Sequence, residues 1–402
     1  MGQQQSVSSS GASGDESSWL PSISEDGRFV VFTSEAGNLV AHQPDHRPEV
    51  FVRDRRRGVT RLVSRALRNG YYPNGNSYEP QITADGRLVA FSSEASNLVP
   101  GDRGRGSDVF VRDLRTATTH LVSVSKAGTQ SDGSSSGPSI SDDGRYVAFT
   151  STGANLASDD LNIASDIFVR DRSTGRTTAV SRSSAGALGN ARSYAPSISA
   201  NGRFVAFASD ASNLVRHDDN GTTDIFLRDL LTGTTRLISR TEAGPPSGQR
   251  NKPEGRLAVS PNGRLVAFDS EATDLVAGDD NADANHSGRD VFLRDTRANS
   301  TARISVDAIG QDSLGSSQVG DLTADGRFLT FTSTAPLVAG DEADSLDLFE
   351  RDLVAGSITR VTPDTGYGAA YARAGDLLAL VHWSDPCCRQ GQVYVARRLP
   401  AP

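Results

Sequence analysis

Hydrophobic and polar positions alternate along this chain in short bursts that return at a fixed interval. Runs of four to seven residues rich in Val, Ile, Phe and Thr, bounded by Gly, Asp and Asn, read as strands. No stretch carries the period of an amphipathic helix. A D/N-G-R triplet marks the repeat: its glycines are Gly27, Gly86, Gly144, Gly202, Gly263 and Gly326, spaced 59, 58, 58, 61 and 63 residues apart. Asp-Gly between two strands is a tight hairpin turn, because glycine reaches positive φ without strain. Each copy reads P-S-I-S-x-D-G-R-Y-V-A-F-x-S, a polar stretch, D-[VI]-F-V-R-D, a short turn, then T-x-R-L-V-S; the third copy shows it whole from Pro138 to Ser181. All 15 phenylalanines fall on this grid, which marks them as core.

Four antiparallel strands (a to d in chain order) repeated at about 60 residues predict an all-β fold, a single seven-bladed β-propeller of four-stranded antiparallel blades over residues 1–402. The expected blades span about 19–64, 78–123, 136–181, 194–239, 255–305, 319–362 and 367–399. The seventh copy has Leu380 at the Phe position of strand b and Val393-Tyr394-Val395 as strand c, with no strand d. Ser6-Val7-Ser8 matches Leu62-Val63-Ser64 and Leu121-Val122-Ser123. An N-terminal strand at residues 5–10 is therefore expected to close the ring and remove an exposed edge.

Composition narrows the function classes. With 41 basic and 49 acidic residues the net charge is −8, which argues against nucleic acid as the main partner. Only Lys126 and Lys252 are lysines; the arginines recur at fixed repeat positions. No apolar run is long enough to span a membrane. Met1 to Ser10 lacks the apolar centre of a secretory signal. The polar, Ser/Thr/Gly-rich composition still favours an exported protein whose signal is absent from this sequence, and a monomer is expected. The adjacent Cys387 and Cys388 exclude a disulfide framework.

The motifs P-x-[IL]-S-x-D-G-R-x-[VI]-A-F and D-[VI]-F-[VL]-R-D resemble the WD-like propeller repeat of the TolB family, over about residues 5–399. That resemblance implies the propeller fold and is weak for function, since such propellers serve as scaffolds, lectin-like binders and parts of enzymes. It does not extend to the N-terminal domain of TolB or to the hydrolase domain of prolyl-oligopeptidase relatives, so neither a Tol–Pal role nor peptidase activity is expected.

Several motifs carry no chemistry. The Arg-Asp pairs ending each strand c, such as Arg170-Asp171, recur too regularly to be catalytic. Gly133 to Gly137 matches G-x-S-x-G but not on a strand-to-helix elbow. His42, His46, His120, His217, His286 and His382 share no ligand spacing.

The b–c loops are acidic and leave two readings open. Asp160, Asn162 and Asp166, then Asp219, Asn220 and Asp224, then Asp280, Asp283 and Asp290 offer the oxygen donors that calcium takes. The same residues also cap turns and solubilise loops. The loop face is the expected working face, because loops carry function. Trp19, Tyr78 and Tyr194 share one repeat position near the expected channel mouth, while Arg68, Tyr71, Tyr72 and Asn74 crowd one d–a loop. Aromatic rings with polar neighbours suit a protein or carbohydrate ligand. The expected function is therefore a non-catalytic binding propeller. The alternative is a propeller-type enzyme, a metal-assisted polysaccharide lyase or a hydrolase, acting at the channel mouth.

Overall fold

A computed structural model describes residues 2–397 except 42–45, 68–71, 105, 161, 242–243, 245–246, 249–250, 252, 254–255, 280–287, 312–314, 342–345, 362–376 and 384–390. Strands dominate it, with one helical turn, Ala154–Leu156, among the described residues. Six sheets have four strands in the order a-b-c-d, all antiparallel. Blade one is built from Ser18–Ile23, Phe29–Ser34, Glu49–Asp54 and Val59–Leu62. The seventh sheet shows Leu377–Trp383, Gly391–Arg397 and, outermost, Gln3–Gln4. The fold is a seven-bladed β-propeller, with the N-terminal strand supplying the outer strand of the seventh blade.

That strand sits two residues from the expected register. Gln3 and Gln4 pair with Val395 and Tyr394. Ser6 then takes the place that Ser64 holds in blade one: the Val393 amide donates to Ser6 Oγ as the Val50 amide donates to Ser64 Oγ. Gln4-Gln5-Ser6, rather than Ser6-Val7-Ser8, is the equivalent of Leu62-Val63-Ser64. Alternating serines at Ser6, Ser8 and Ser10 make both registers look alike in sequence, and only the strand pairing separates them.

The chain divides into two compact units, residues 1–158, 169–178 and 369–402, and residues 159–168 and 179–368. In each unit strand b pairs strand c so that two phenylalanines stand opposite and stack, as Phe32 on Phe51 at 6.0 Å in the first and Phe207 on Phe226 at 5.8 Å in the second. Twelve phenylalanines are the largest fully buried side chains, so this stacked pair is the core of each complete blade. Successive blades meet at the triplet glycine. Gly86 has φ +70°, and a Cβ there would stand 2.4 Å from the Phe29 ring of the preceding blade. The glycine therefore serves the turn and the blade-to-blade approach together.

Strand c closes the scheme. Its terminal aspartate accepts a two-pronged bond from the triplet arginine, as Asp229 does from Arg203 at 2.9 and 2.7 Å. Its arginine reaches back to the loop that precedes the blade. Arg53 donates to the Ser8 carbonyl at 3.0 Å, Arg170 to Ser125 at 3.2 Å, Arg228 to Ser183 at 2.9 Å and Arg351 to Asp307 at 3.1 Å.

Candidate functional site

The aromatic positions singled out in the sequence are half-buried. Trp19, Tyr78 and Tyr194 each precede a residue at positive φ (Leu20, Glu79 and Ala195), where strand a slips register against strand b. Arg192 lies over the Tyr194 ring at 5.4 Å, and the Tyr194 hydroxyl bonds Thr223. Tyr72 donates its hydroxyl to the Ala41 carbonyl. Asn74 is structural: its amide donates to Ser96 Oγ and its carbonyl accepts the Ser96 amide, as Asn190 does with Ser212. Arg68 and Tyr71 lie outside the described residues.

The acidic loops turn their carboxylates inward. Asp166, Asp224 and Asp290 each accept the hydroxyl of a strand d serine, Ser181, Ser239 and Ser305, at 2.5 Å. Burial pushes Asp166 up to about 6 and Asp224 to about 7. Asn162 Oδ1 accepts the Ala164 amide and Asn220 Oδ1 the Thr222 amide, the side-chain turns typical of Asn. Asn220 also donates to Asp224 at 2.6 Å. Asp160 is buried and Asp219 exposed. Asp280 and Asp283 lie outside the described residues. Among the described residues no three His, Cys, Asp or Glu side chains gather to hold a metal ion.

Two grooves that the sequence reading did not single out are richer in chemistry. Each lies between two successive blades of one unit, and most of their wall positions correspond in the repeat. In the first unit Arg61, Arg65 and Arg112 line a cavity of about 530 Å³ with Leu62, Leu114 and Tyr72. In the second, Arg236, Arg240 and Arg294 line one of about 680 Å³ with Arg216 and His217. Arg112 and Arg294 are the strand c arginines of blades two and five. Each donates to a strand d threonine, Thr119 or Thr301, at 2.9 Å, Arg294 also reaches Asn299 Oδ1, and among the described residues neither bonds a loop carbonyl as its counterparts do. Burial lowers the pKa of both, and a facing arginine, Arg65 or Arg240, adds to the effect. Arg240 Nε is buried with no acceptor. The neighbouring Asp113 and Asp295 are turned away, held by Arg87 and Arg264. His217 stands at the rim of the second groove at φ +60°, a left-handed conformation unusual for a side-chain-bearing residue. The signal was legible: R-L-[VI]-S-R occurs only at Arg61–Arg65 and Arg236–Arg240.

No protein-family model and no curated protein matches the chain. Among solved structures it resembles an oligogalacturonate lyase in complex with manganese (11% identity, TM-score 0.56), covering 96% of this chain and 90% of the lyase. It resembles the Pyrococcus horikoshii acylaminoacyl peptidase with 11% identity and a TM-score of 0.57, over 96% of this chain and 52% of that one. TolB from Acinetobacter baumannii aligns with 15% identity and a TM-score of 0.43, over 71% and 53%. The chain thus spans about half the length of TolB and of the peptidase. The likeness shows the fold alone, a β-propeller shared with the lyase and the peptidase. The expectation of a non-catalytic binding propeller is corrected here, because propellers with this fold include a lyase and peptidases. A repeat built for blade packing carries no catalytic signature, so the lack of a motif was no ground for that reading.

Proposed function

We propose that this chain is a propeller enzyme of the lyase type, acting on an acidic saccharide. The observation that carries the reading is the groove of Arg236, Arg240 and Arg294 with His217 at its rim, a cationic cleft whose Arg240 Nε has no acceptor. The extent of the fold likeness supports it: the chain covers nine-tenths of the lyase, whereas it covers only half of the peptidase.

The chemistry follows from charge. A uronate's ring carbon next to its carboxylate gives up a proton only if the carboxylate charge is neutralised, and paired guanidiniums supply that in a partly desolvated site. His217 would take the proton as general base. The electron pair forms the ring double bond, the glycosidic oxygen on the adjacent carbon leaves, and it takes up a proton from His217 or solvent. Water is not consumed. The lyase relative holds manganese, but the described residues offer no donor set that fits a metal, and no step here is routed through one.

The test is ultraviolet absorbance of the unsaturated product during incubation with polygalacturonate and other acidic polysaccharides. His217→Ala should cut the rate by roughly 100-fold or more, the typical share of a general base. Arg240→Gln should raise KM and lower kcat together. No unsaturated product from any acidic polysaccharide would overturn the reading.

A further inference from the structure

The groove between blades one and two has arginines at three of the repeat positions that carry them in its counterpart, and it belongs to the other unit. Arg112 is half-buried, and among the described residues its bonding is confined to the neutral Thr119 hydroxyl. Arg61 and Arg65 line the same cavity. Arg53, Arg170, Arg228 and Arg351 end on loop carbonyls; Arg112 instead lines a cavity whose wall carries Arg61 and Arg65 as well. Asp113 gives Arg112 some charge compensation but bonds Arg87 instead, and guanidinium forks are shaped to accept oxyanions. Opposite the arginines stand Val40, Val52, Leu62, Leu114 and the Tyr72 ring. The Tyr72 hydroxyl bond to Ala41 fixes that ring in place. A cavity of about 530 Å³ is of the size that holds a small organic molecule rather than a bare ion.

We propose that this groove binds a small ligand carrying an oxyanion group (carboxylate, sulfate or phosphate) on an apolar-faced body. The guanidiniums of Arg61, Arg65 and Arg112 grip the oxyanion, and Tyr72 and the aliphatic wall cover the remainder. The inference does not depend on catalysis in the other groove.

Binding is read by calorimetry and thermal shift on the full chain. Sodium sulfate, sodium phosphate and glucuronate are the probes, with sodium chloride at equal ionic strength and neutral glucose as references. The oxyanion probes should raise the melting temperature saturably, since a ligand of the folded state stabilises by mass action. If the organic body matters, glucuronate binds more tightly than either inorganic ion. Arg112→Gln should weaken this binding at least tenfold. That variant also removes the bond to Thr119 within the blade, so Leu114→Glu gives a second measurement. It brings a carboxylate to the wall at a position where blade five has Thr296, so it should occupy the place of the ligand's oxyanion and abolish the response while leaving the unliganded melting temperature unchanged or higher. Arg53→Gln, whose guanidinium is already bonded to Ser8, should keep full binding. Oxyanion binding that survives both Arg112→Gln and Leu114→Glu, or a response no larger than that to chloride, overturns the inference. Lyase activity retained in Leu114→Glu keeps this outcome separate from the fate of the catalytic reading.

Discussion

Asp108, Asp166 and Asp224 occupy one repeat position, each accepting a strand d serine hydroxyl, and burial raises their pKa values to about 6, 6 and 7. Unfolded aspartate titrates near 4, so between about pH 4 and about pH 7 the folded chain holds more protons than the unfolded one, and stability falls as pH rises through that window. The strand c aspartates act oppositely: the Arg203 bond holds Asp229 down at about 2, and its contribution is lost only below about pH 4. Thermal melts across pH should therefore peak on the acidic side of neutrality. Asp224→Asn should flatten the decline toward neutral pH, and an unchanged slope in that variant would refute the assignment. The sequence showed these aspartates but not their direction, because an Asp opening a strand reads alike whether it faces water, a cation or a buried serine. The phenylalanines were legible for the opposite reason: a large ring at every strand b end has one stable destination.

At the scale of elements, the strands and their order were readable from period-two alternation and the glycine triplet. The N-terminal register was not, because Ser6 and Ser8 both suit the serine position of strand d and only the bonds to Gln392 and Val393 select Ser6. Deleting Met1 to Ser10 would strip that strand and leave Gly391–Arg397 as an unpaired edge. The melting temperature should fall by roughly 5 °C or more, the scale expected for a loss of a few kcal/mol in a chain of this size. Ser6→Ala, which removes only the hydroxyl shared by Gln392 and Val393, should cost a smaller part of the same loss.

The whole molecule carries a net charge of −8, yet gathers three or more arginines along each of two grooves. The long-range field should oppose an approaching anion while the local one holds it. Salt screens the distant repulsion over a Debye length of about 10 Å at 0.1 M, while contacts inside a groove are screened less. Stopped-flow binding of an acidic oligosaccharide should accordingly show an association rate that does not fall, and rises modestly, as salt increases, with the dissociation rate rising further. A steep fall in association rate would mean that a basic surface field, not the grooves, attracts the ligand. The composition gave the overall sign of the charge. The grooves left one trace in residue types, the R-L-[VI]-S-R pattern, and it gained meaning only once the fold set Arg61 and Arg236 on the same walls as Arg112 and Arg294.

The seventh blade also sets an order of events during synthesis. Ser6 bonds Gln392, 386 positions later in the chain. The segment around Ser6 thus leaves the ribosome long before its partner, and it must wait while blades one to six assemble from local hairpins, which form quickly. Until Gly391–Arg397 emerges, Gln3–Gln4 has no sheet to join, and a chain arrested before that point should be cut there by a protease that spares the blades already made.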